Sequence, residues 1–334
     1  MLEWQINKIR LENFVNIMKL IPNKNHTYHV YGSFGDIYLQ LSALKELLDE
    51  KKEIFNILID QKYENLANEA LGLSITKYYT TGGNVNNLFN DLGIVGKTGN
   101  LPIRLLPTIY PGCAELILAE RLYYSDFLRG IIGSSRVGVF SKIENIDNQK
   151  SKTQEIIRSS GCEPGNTLLL SVDNNTQKEF SEDFWMFIIN LIKKHDVSIL
   201  LNDSGTLSYE SANLLSSTDL PRIKIPPELA VAIPSIAGGY IGGTNGFSAI
   251  QAIFNDNVCG LHFINALESS TGKIKDKFEN EYNENSLFHA NSWKEAFRNK
   301  QTEILIKKNT KEIEIENLLN KYIKLNFITK TKDI

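Results

Sequence analysis

The chain has 334 residues, 42% of them hydrophobic and 22% charged, with a formal net charge of -3. That length exceeds one ordinary core and calls for two domains, and the slightly acidic balance leaves no global basic field to recruit nucleic acid. The three cysteines, Cys113, Cys162 and Cys259, form no CxxC pair, and no apolar run is long enough to span a bilayer. Neither a disulfide framework nor a zinc site is signalled, so the composition predicts a soluble cytoplasmic protein.

Residues 1–20 place Trp4, Ile6, Ile9, Leu11, Phe14, Val15 and Met18 at helical spacing. They read as a surface helix packed on the body or as a helix lying in a membrane interface. The first strand follows at Thr27–Tyr31 and runs through Gly32-Ser33-Phe34-Gly35-Asp36 into an apolar-periodic helix at Ile37–Glu50. Strand, glycine turn, acid and helix is how a parallel α/β sheet brings backbone and a carboxylate to the edge where ligands bind. Asp36 can serve there as a helix cap or as a functional carboxylate. Short apolar runs at Ile54–Ile59 and Ser74–Tyr79 flank a helix at Tyr63–Leu71 and continue the alternation. The proline-containing stretch 100–112 reads as an extended loop, and Ala114–Leu128 as a helix bearing Glu115, Glu120 and Arg121.

Residues 141–166 are rich in Ser, Lys, Asn, Gln and Glu and mark a domain boundary. The second half restarts with strand Thr167–Val172, helix Phe180–Lys194, strand Val197–Leu201 and the short strand Ile223–Ile225. Helix Pro227–Ser235, strand Gly239–Ile241, helix Gly246–Phe254 and a closing strand Asn257–His262 follow, with a terminal amphipathic helix at 312–325. The boundaries predicted are a helical extension 1–27, α/β domains 28–150 and 151–310, and a tail 311–334.

Several motifs mislead. Gly96-Lys97-Thr98 ends like a P-loop, but Asp91 stands where its first glycine is required. The first turn lacks GxGxxG spacing, which disfavours NAD and FAD. No Asp-x-Asp pair offers a metal clamp, and the five histidines form no HxxxH or Ser/His/Asp pattern.

Two loops of the second half carry an anion signal. Gly242-Gly243-Thr244-Asn245-Gly246-Phe247 is a small-residue turn into a helix, whose first amides suit a diphosphate, with Asn245 as plain N-cap the alternative. The strand ending at Ser171 leads into a polar loop with Lys178, placed to reach a phosphate or simply solvated.

Taken together, Gly32–Leu44, residues 167–185 and Pro227–Phe254 resemble the lipopolysaccharide heptosyltransferases, glycosyltransferase family nine. The likeness lies in a Gly-Asp pair opening the first helix, a Lys and an aromatic after the first strand of the second half, and a Gly-rich turn into a helix. Thr244, Asn245 and Ala249 stand where the family carries Asp, Thr or Ser, and His, and Ser42 replaces a helix proline. The resemblance implies two facing Rossmann-like domains (GT-B) with a cleft between them and a C-terminal helical tail. It implies an inverting, metal-independent hexosyl- or heptosyltransferase needing no cofactor beyond its nucleotide-sugar donor. The acceptor would be a hydroxyl of a bacterial glycan, lipooligosaccharide or protein, and the enzyme could sit peripherally on the inner membrane. In that reading Asp36 is the general base, and Ser171, Lys178, Thr244, Asn245, Gly246 and Phe247 bind the donor. Gly35, Glu115, Glu120 and Arg121 line the acceptor side. Two alternatives stay open: a non-catalytic relic that binds sugar nucleotide or glycan, and a sugar-nucleotide epimerase.

Overall fold

The structure, a computed structural model, describes residues 26–52, 54–80, 104–106, 124–136, 140–172, 180–203, 209–243, 245–265, 273–275, 281–283 and 301–328, with positions 8, 12, 16 and 19–21. The chain folds into two compact units, Met1–Ile143 and Glu144–Ile334.

In the first unit, positions 8, 12, 16, 19 and 20 are helical and exposed, with Lys8 and Glu12 paired one turn apart at 4.0 Å. The sheet holds β1 (Thr27–His29), β2 (Asn56–Asp60), β3 (Thr76–Thr80) and β4 (Arg104–Leu105), all parallel, in the order β3-β2-β1-β4. Between them run α1 (Phe34–Lys51) and α2 (Glu64–Leu71), and after β4 comes α3 (Tyr124–Ile132). Parallel neighbours need crossover connections, and the helical spacing of Ile37, Leu41, Leu44 and Leu47 supplies one whose apolar face is fully buried. The proline-containing stretch read as a loop contributes β4 at its centre, a two-residue strand too short to leave a periodic signal.

The unit is pinned by a buried ion pair. Arg129 of α3 donates from Nε and Nη2 to the two carboxylate oxygens of Glu46 on α1, at 2.7 and 2.9 Å, with both side chains at most 2% exposed. Glu46 also accepts the Ser141 amide at 2.8 Å, and the guanidinium lies 4.8 Å from the Phe140 ring centroid. This bidentate geometry offsets much of the desolvation of both charges.

The second unit opens with α4 (Ile146–Ser159), capped by the Asn145 side chain on the Asn148 amide. Its polar composition is that of a surface helix burying only Thr153 and Ile157, which is why 141–166 read as a domain boundary with no helix in it. Strands β5 (Thr167–Ser171), β6 (Ser198–Asn202), β7 (Arg222–Ile223), β8 (Gly238–Gly243), β9 (Gly260–Asn265) and β12 (Gln301–Ile306) form a parallel sheet in the order β12-β9-β8-β5-β6-β7. A separate antiparallel pair joins β10 (Lys273–Lys275) to β11 (Glu281–Asn283). The crossovers carry α5 (Glu182–Ile192), α6 (Tyr209–Ser217), α7 (Ala232–Ala237) and α8 (Gly246–Phe254), and α9 (Glu312–Ile323) ends in a π-helical turn at Lys324–Ile328.

Two expectations change here. The strand read at 257–262 lies at Gly260–Asn265, because Asn255 accepts the Asn257 and Val258 amides and holds that segment as a turn. The sheet is closed instead by β12, which pairs with β9. The helix read at 227–235 is a short turn, Pro227–Leu229, followed by α7, since the buried Glu144 carboxylate takes the Val231 and Ala232 amides at 2.8–3.0 Å and starts the helix there. Around the central strands, Leu168, Leu170, Trp185, Ile188, Ile189, Leu201, Phe263 and Leu319 form one apolar core.

Arg129→Met should strand the Glu46 carboxylate in the core and lower unfolding free energy by about 3–5 kcal/mol. Glu46→Leu/Arg129→Met should recover more than half of that loss in urea titrations, because the uncompensated charge goes with it.

Burial also holds His29 down to about 3 and His262 down to about 4, below the ordinary value of 6.5. The unfolded chain therefore binds protons that the folded one does not, so stability is full above about pH 6.5 and falls as pH drops from there toward 4. Each histidine contributes a slope of about 1.4 kcal/mol per pH unit across that window. His262→Gln should make the fall in urea midpoint between pH 7 and pH 5 measurably shallower; an unchanged slope would show that His262 is charged in the fold.

Candidate functional site

Both sheets place their candidate loops by the same topological rule. Renumbered from its first strand, the second sheet has the order 3-2-1-4-5-6, and the described part of the first has 3-2-1-4. In such sheets the chain leaves neighbouring central strands toward opposite sides, and the gap beyond their carboxyl ends is where ligands bind.

In the first unit that gap lies between β1 and β4. The chain leaves β1 through Val30, whose amide bonds to Leu58, and Tyr31, whose amide and carbonyl are both held by the buried Gln40 side chain at 2.9 and 3.0 Å. Gly32 then turns the chain at φ +115, a conformation costly for other residues. The helix starts at Phe34 with Ser33 as N-cap, so Asp36 sits inside the first turn rather than at the cap. Its Oδ2 accepts the Ser33 amide at 2.9 Å and the Ser33 hydroxyl at 2.7 Å, a reciprocal arrangement that locks turn and carboxylate together. Asp36 is 8% exposed, and Gly35 is buried in the same turn. The Phe34 ring lies parallel to Tyr63 at 6.1 Å, drawing the loop after β2 against this turn. Burial, with the Asp60 and Asp36 carboxylates nearby, holds the Tyr63 phenol well above its ordinary range and therefore protonated. Glu115, Glu120 and Arg121 lie outside the described residues.

In the second unit the gap lies between β5 and β8, paired in register up to Ser171 opposite Gly242. The two loops with an anion signal thus leave adjacent strands at one sheet edge. Asn245 caps α8, its side-chain oxygen accepting the Ser248 amide at 2.7 Å, so Gly246 and Phe247 form the opening of the helix. The Phe247 ring packs inward, 5.8 Å from Tyr240, which leaves its backbone as the part that can face a ligand. Ser171 is 1% exposed and its hydroxyl accepts the Asn202 side-chain N–H at 3.2 Å, so it lies beneath the gap rather than in it. Lys178 and Thr244 lie outside the described residues, as does Gly96-Lys97-Thr98.

Below these loops is a buried polar cluster that sequence reasoning missed. The Tyr240 hydroxyl meets Ser248 Oγ at 2.5 Å, and Ser248 Oγ donates to the Gly243 carbonyl. Burial raises the Tyr240 phenol far above its ordinary range, so it stays protonated. A side chain at Gly242 would collide with the Tyr240 hydroxyl. The signal was a tyrosine in a glycine strand, with glycine two residues away on the same face, as though space had been kept for the ring. Among the described residues no group of three or more His, Cys, Asp or Glu is placed to hold a metal, and no helix is long and apolar enough to cross a membrane.

No protein-family model matches the sequence, and no curated protein matches it significantly. Solved structures do match the fold. E. coli heptosyltransferase WaaC with ADP aligns at a TM-score of 0.55 and 9% identity, covering 89% of this chain and 99% of that one. E. coli ADP-heptose lps heptosyltransferase II aligns at 0.52 and 10% identity, over 90% and 98%. A glycosyl transferase family 9 protein from Veillonella parvula aligns at 0.51 and 11% identity, over 89% of each chain. At such identities the likeness concerns the fold, and the α/β architecture with its parallel sheets is that of the family-nine, heptosyltransferase-like glycosyltransferases.

Proposed function

We propose that the protein is a glycosyltransferase that moves a sugar from a nucleotide-sugar donor to an acceptor hydroxyl, inverting the anomeric centre without a metal. The observation that carries this reading is the pairing of β5 with β8, which sets the Ser171 and Gly243 strand ends side by side at the second sheet's crossover gap. An anion site of amides and one lysine at such a gap fits a diphosphate. The fold shared with heptosyltransferases, one of them solved with ADP, supports the same ligand class.

In this mechanism the acceptor oxygen attacks the anomeric carbon as its proton passes to Asp36. The bond from that carbon to the diphosphate oxygen breaks, and the electron pair leaves with the nucleoside diphosphate. Its added negative charge is met by the Gly246 and Phe247 end of α8 and by Lys178, in the place a metal would otherwise occupy. The Ser33 bonds hold the Asp36 carboxylate in one orientation for the proton transfer. Those same bonds favour a second reading, a protein that binds nucleotide sugar without transferring it, in which Asp36 serves only the helix start. Donor sugar, base and acceptor are to be found by a thermal-shift screen against nucleotides and nucleotide sugars, since a ligand binding only the folded state raises the melting temperature.

Asp36→Asn separates the two readings. Asparagine keeps an acceptor oxygen for the Ser33 N–H and O–H, so the fold and the donor-induced thermal shift should survive while transfer falls about 10²–10⁴-fold. Turnover above roughly a tenth of wild type would assign Asp36 to capping alone.

Transfer should also persist in excess chelator. Complete loss restored by Mg²⁺ or Mn²⁺ would sink the metal-free mechanism.

A further inference from the structure

We propose that Gln40 is a positioning residue for transfer, its buried amide group holding the chain ahead of Gly32 so that Ser33 meets the Asp36 carboxylate in one orientation. The inference rests on the reading of Asp36 as general base.

Sheet pairing gives out just before the turn. The Val30 amide donates to the Leu58 carbonyl at 2.9 Å, and the His29 carbonyl accepts the Leu106 amide at 3.3 Å. At Tyr31 a side chain takes over the work of a neighbouring strand. The Tyr31 N–H donates to Gln40 Oε1 at 2.9 Å, and the Tyr31 carbonyl accepts from Gln40 Nε2 at 3.0 Å. A carboxamide suits this task because it offers one acceptor and one donor side by side, and the two bonds fix which way it points. An apolar side chain of the same size would leave both backbone groups of Tyr31 without these partners. Gln40 lies four residues after Asp36, one turn deeper on the same face of α1.

Two side chains of one helix face therefore fasten the exit segment on both sides of Gly32, Gln40 at Tyr31 and Asp36 at Ser33. Gly32 between them, at φ +115 and without a side chain, is the point at which the segment would otherwise swing. The bonds from Ser33 orient the carboxylate only if Ser33 itself is held, and the grip on Tyr31 supplies that. Gln40 has no exposed surface, whereas Ser33 is exposed. A residue so buried does not touch a substrate, so its effect on transfer runs through the turn. Misplacing a reacting group by about 1 Å is costly, and support from a rigid helix prevents it.

The full chain and its variants are compared by melting and by amide hydrogen exchange at Ser33, both without ligand. Release of nucleoside diphosphate is then measured from ADP-glucose, UDP-glucose, UDP-N-acetylglucosamine and GDP-mannose, with water standing in for the acceptor hydroxyl. Gln40→Met keeps the length of the side chain and removes both bonds. It should speed Ser33 exchange about tenfold or more and lower kcat about ten- to a hundredfold, with KM for the donor unchanged. Added to Asp36→Asn it should lower release no further, because the carboxylate it orients is gone. Leu47→Ala opens a cavity in the buried face of α1 about three turns beyond Asp36. That variant should melt lower, with Ser33 exchange and kcat as in wild type. Gln40→Glu keeps an acceptor for the Tyr31 amide and should lose less on both readouts; it carries the test if Gln40→Met does not fold. Unchanged Ser33 exchange, or faster exchange with unchanged kcat, overturns the positioning role, as does an equal loss of kcat in Leu47→Ala. No release by wild type from any of these donors removes the transferase reading itself, and the positioning role with it, before any variant is compared.

Discussion

Parallel pairing is the constraint on which the rest depends. Because β5 and β8 run in the same direction, each must be followed by a crossover, and each crossover begins at the same edge of the sheet. The chain departs from β5 toward β6 and from β8 toward β9, so the two loops diverge and leave a gap between them. The candidate loops after Ser171 and Gly243 inherit their starting points from that geometry. The first unit repeats it around β1, with Asp36 in the first turn of the helix that leaves the central strand.

A gap of this kind exposes the strand ends to forces from any bound anion, and the protein stiffens them with buried polar groups rather than apolar ones. Apolar contacts would hold the strands together but would not set the direction of a carbonyl or an amide. Buried hydrogen bonds such as Tyr240–Ser248–Gly243 and Asn202–Ser171 do, and in a low-dielectric interior each bond is stronger than in water. The risk is that one missing partner leaves a costly orphan, which explains why Gly242 and Tyr240 are matched so closely.

The C-terminal helix belongs to the same construction. Tyr322 inserts its hydroxyl at the start of the β8–β9 pairing, and Phe327 lies where a side chain at Gly239 would come within 2.6 Å of its ring. The tail thus completes the second unit's core from the end of the sheet opposite the candidate site, and its contacts reach that site through Tyr240. In the first unit the comparable anchor is electrostatic, the Arg129–Glu46 pair joining α3 to α1, the helix that carries Asp36.

Much of the fold was legible in the sequence where one period dominated: α8 follows its reading at Gly246–Phe254, and β5 and β6 lie within a residue of theirs. Helix α4 and strand β12 were not, since α4 is nearly all surface and β12 is half-buried at the sheet edge, and neither makes a strong apolar pattern. The sequence by itself determined the alternation of strand and helix, the small-residue turns, and hence the two loops and the carboxylate that invite a ligand. Only the tertiary structure decided that β5 and β8 are neighbours, that Ser33 rather than Asp36 caps α1, and that Tyr240 meets Ser248 and Ser171 meets Asn202 beneath the gap. The β5–β8 pairing joins residues 71 positions apart in the chain, Ser171 to Gly242, and local periodicity carries no information about which distant strand will lie alongside.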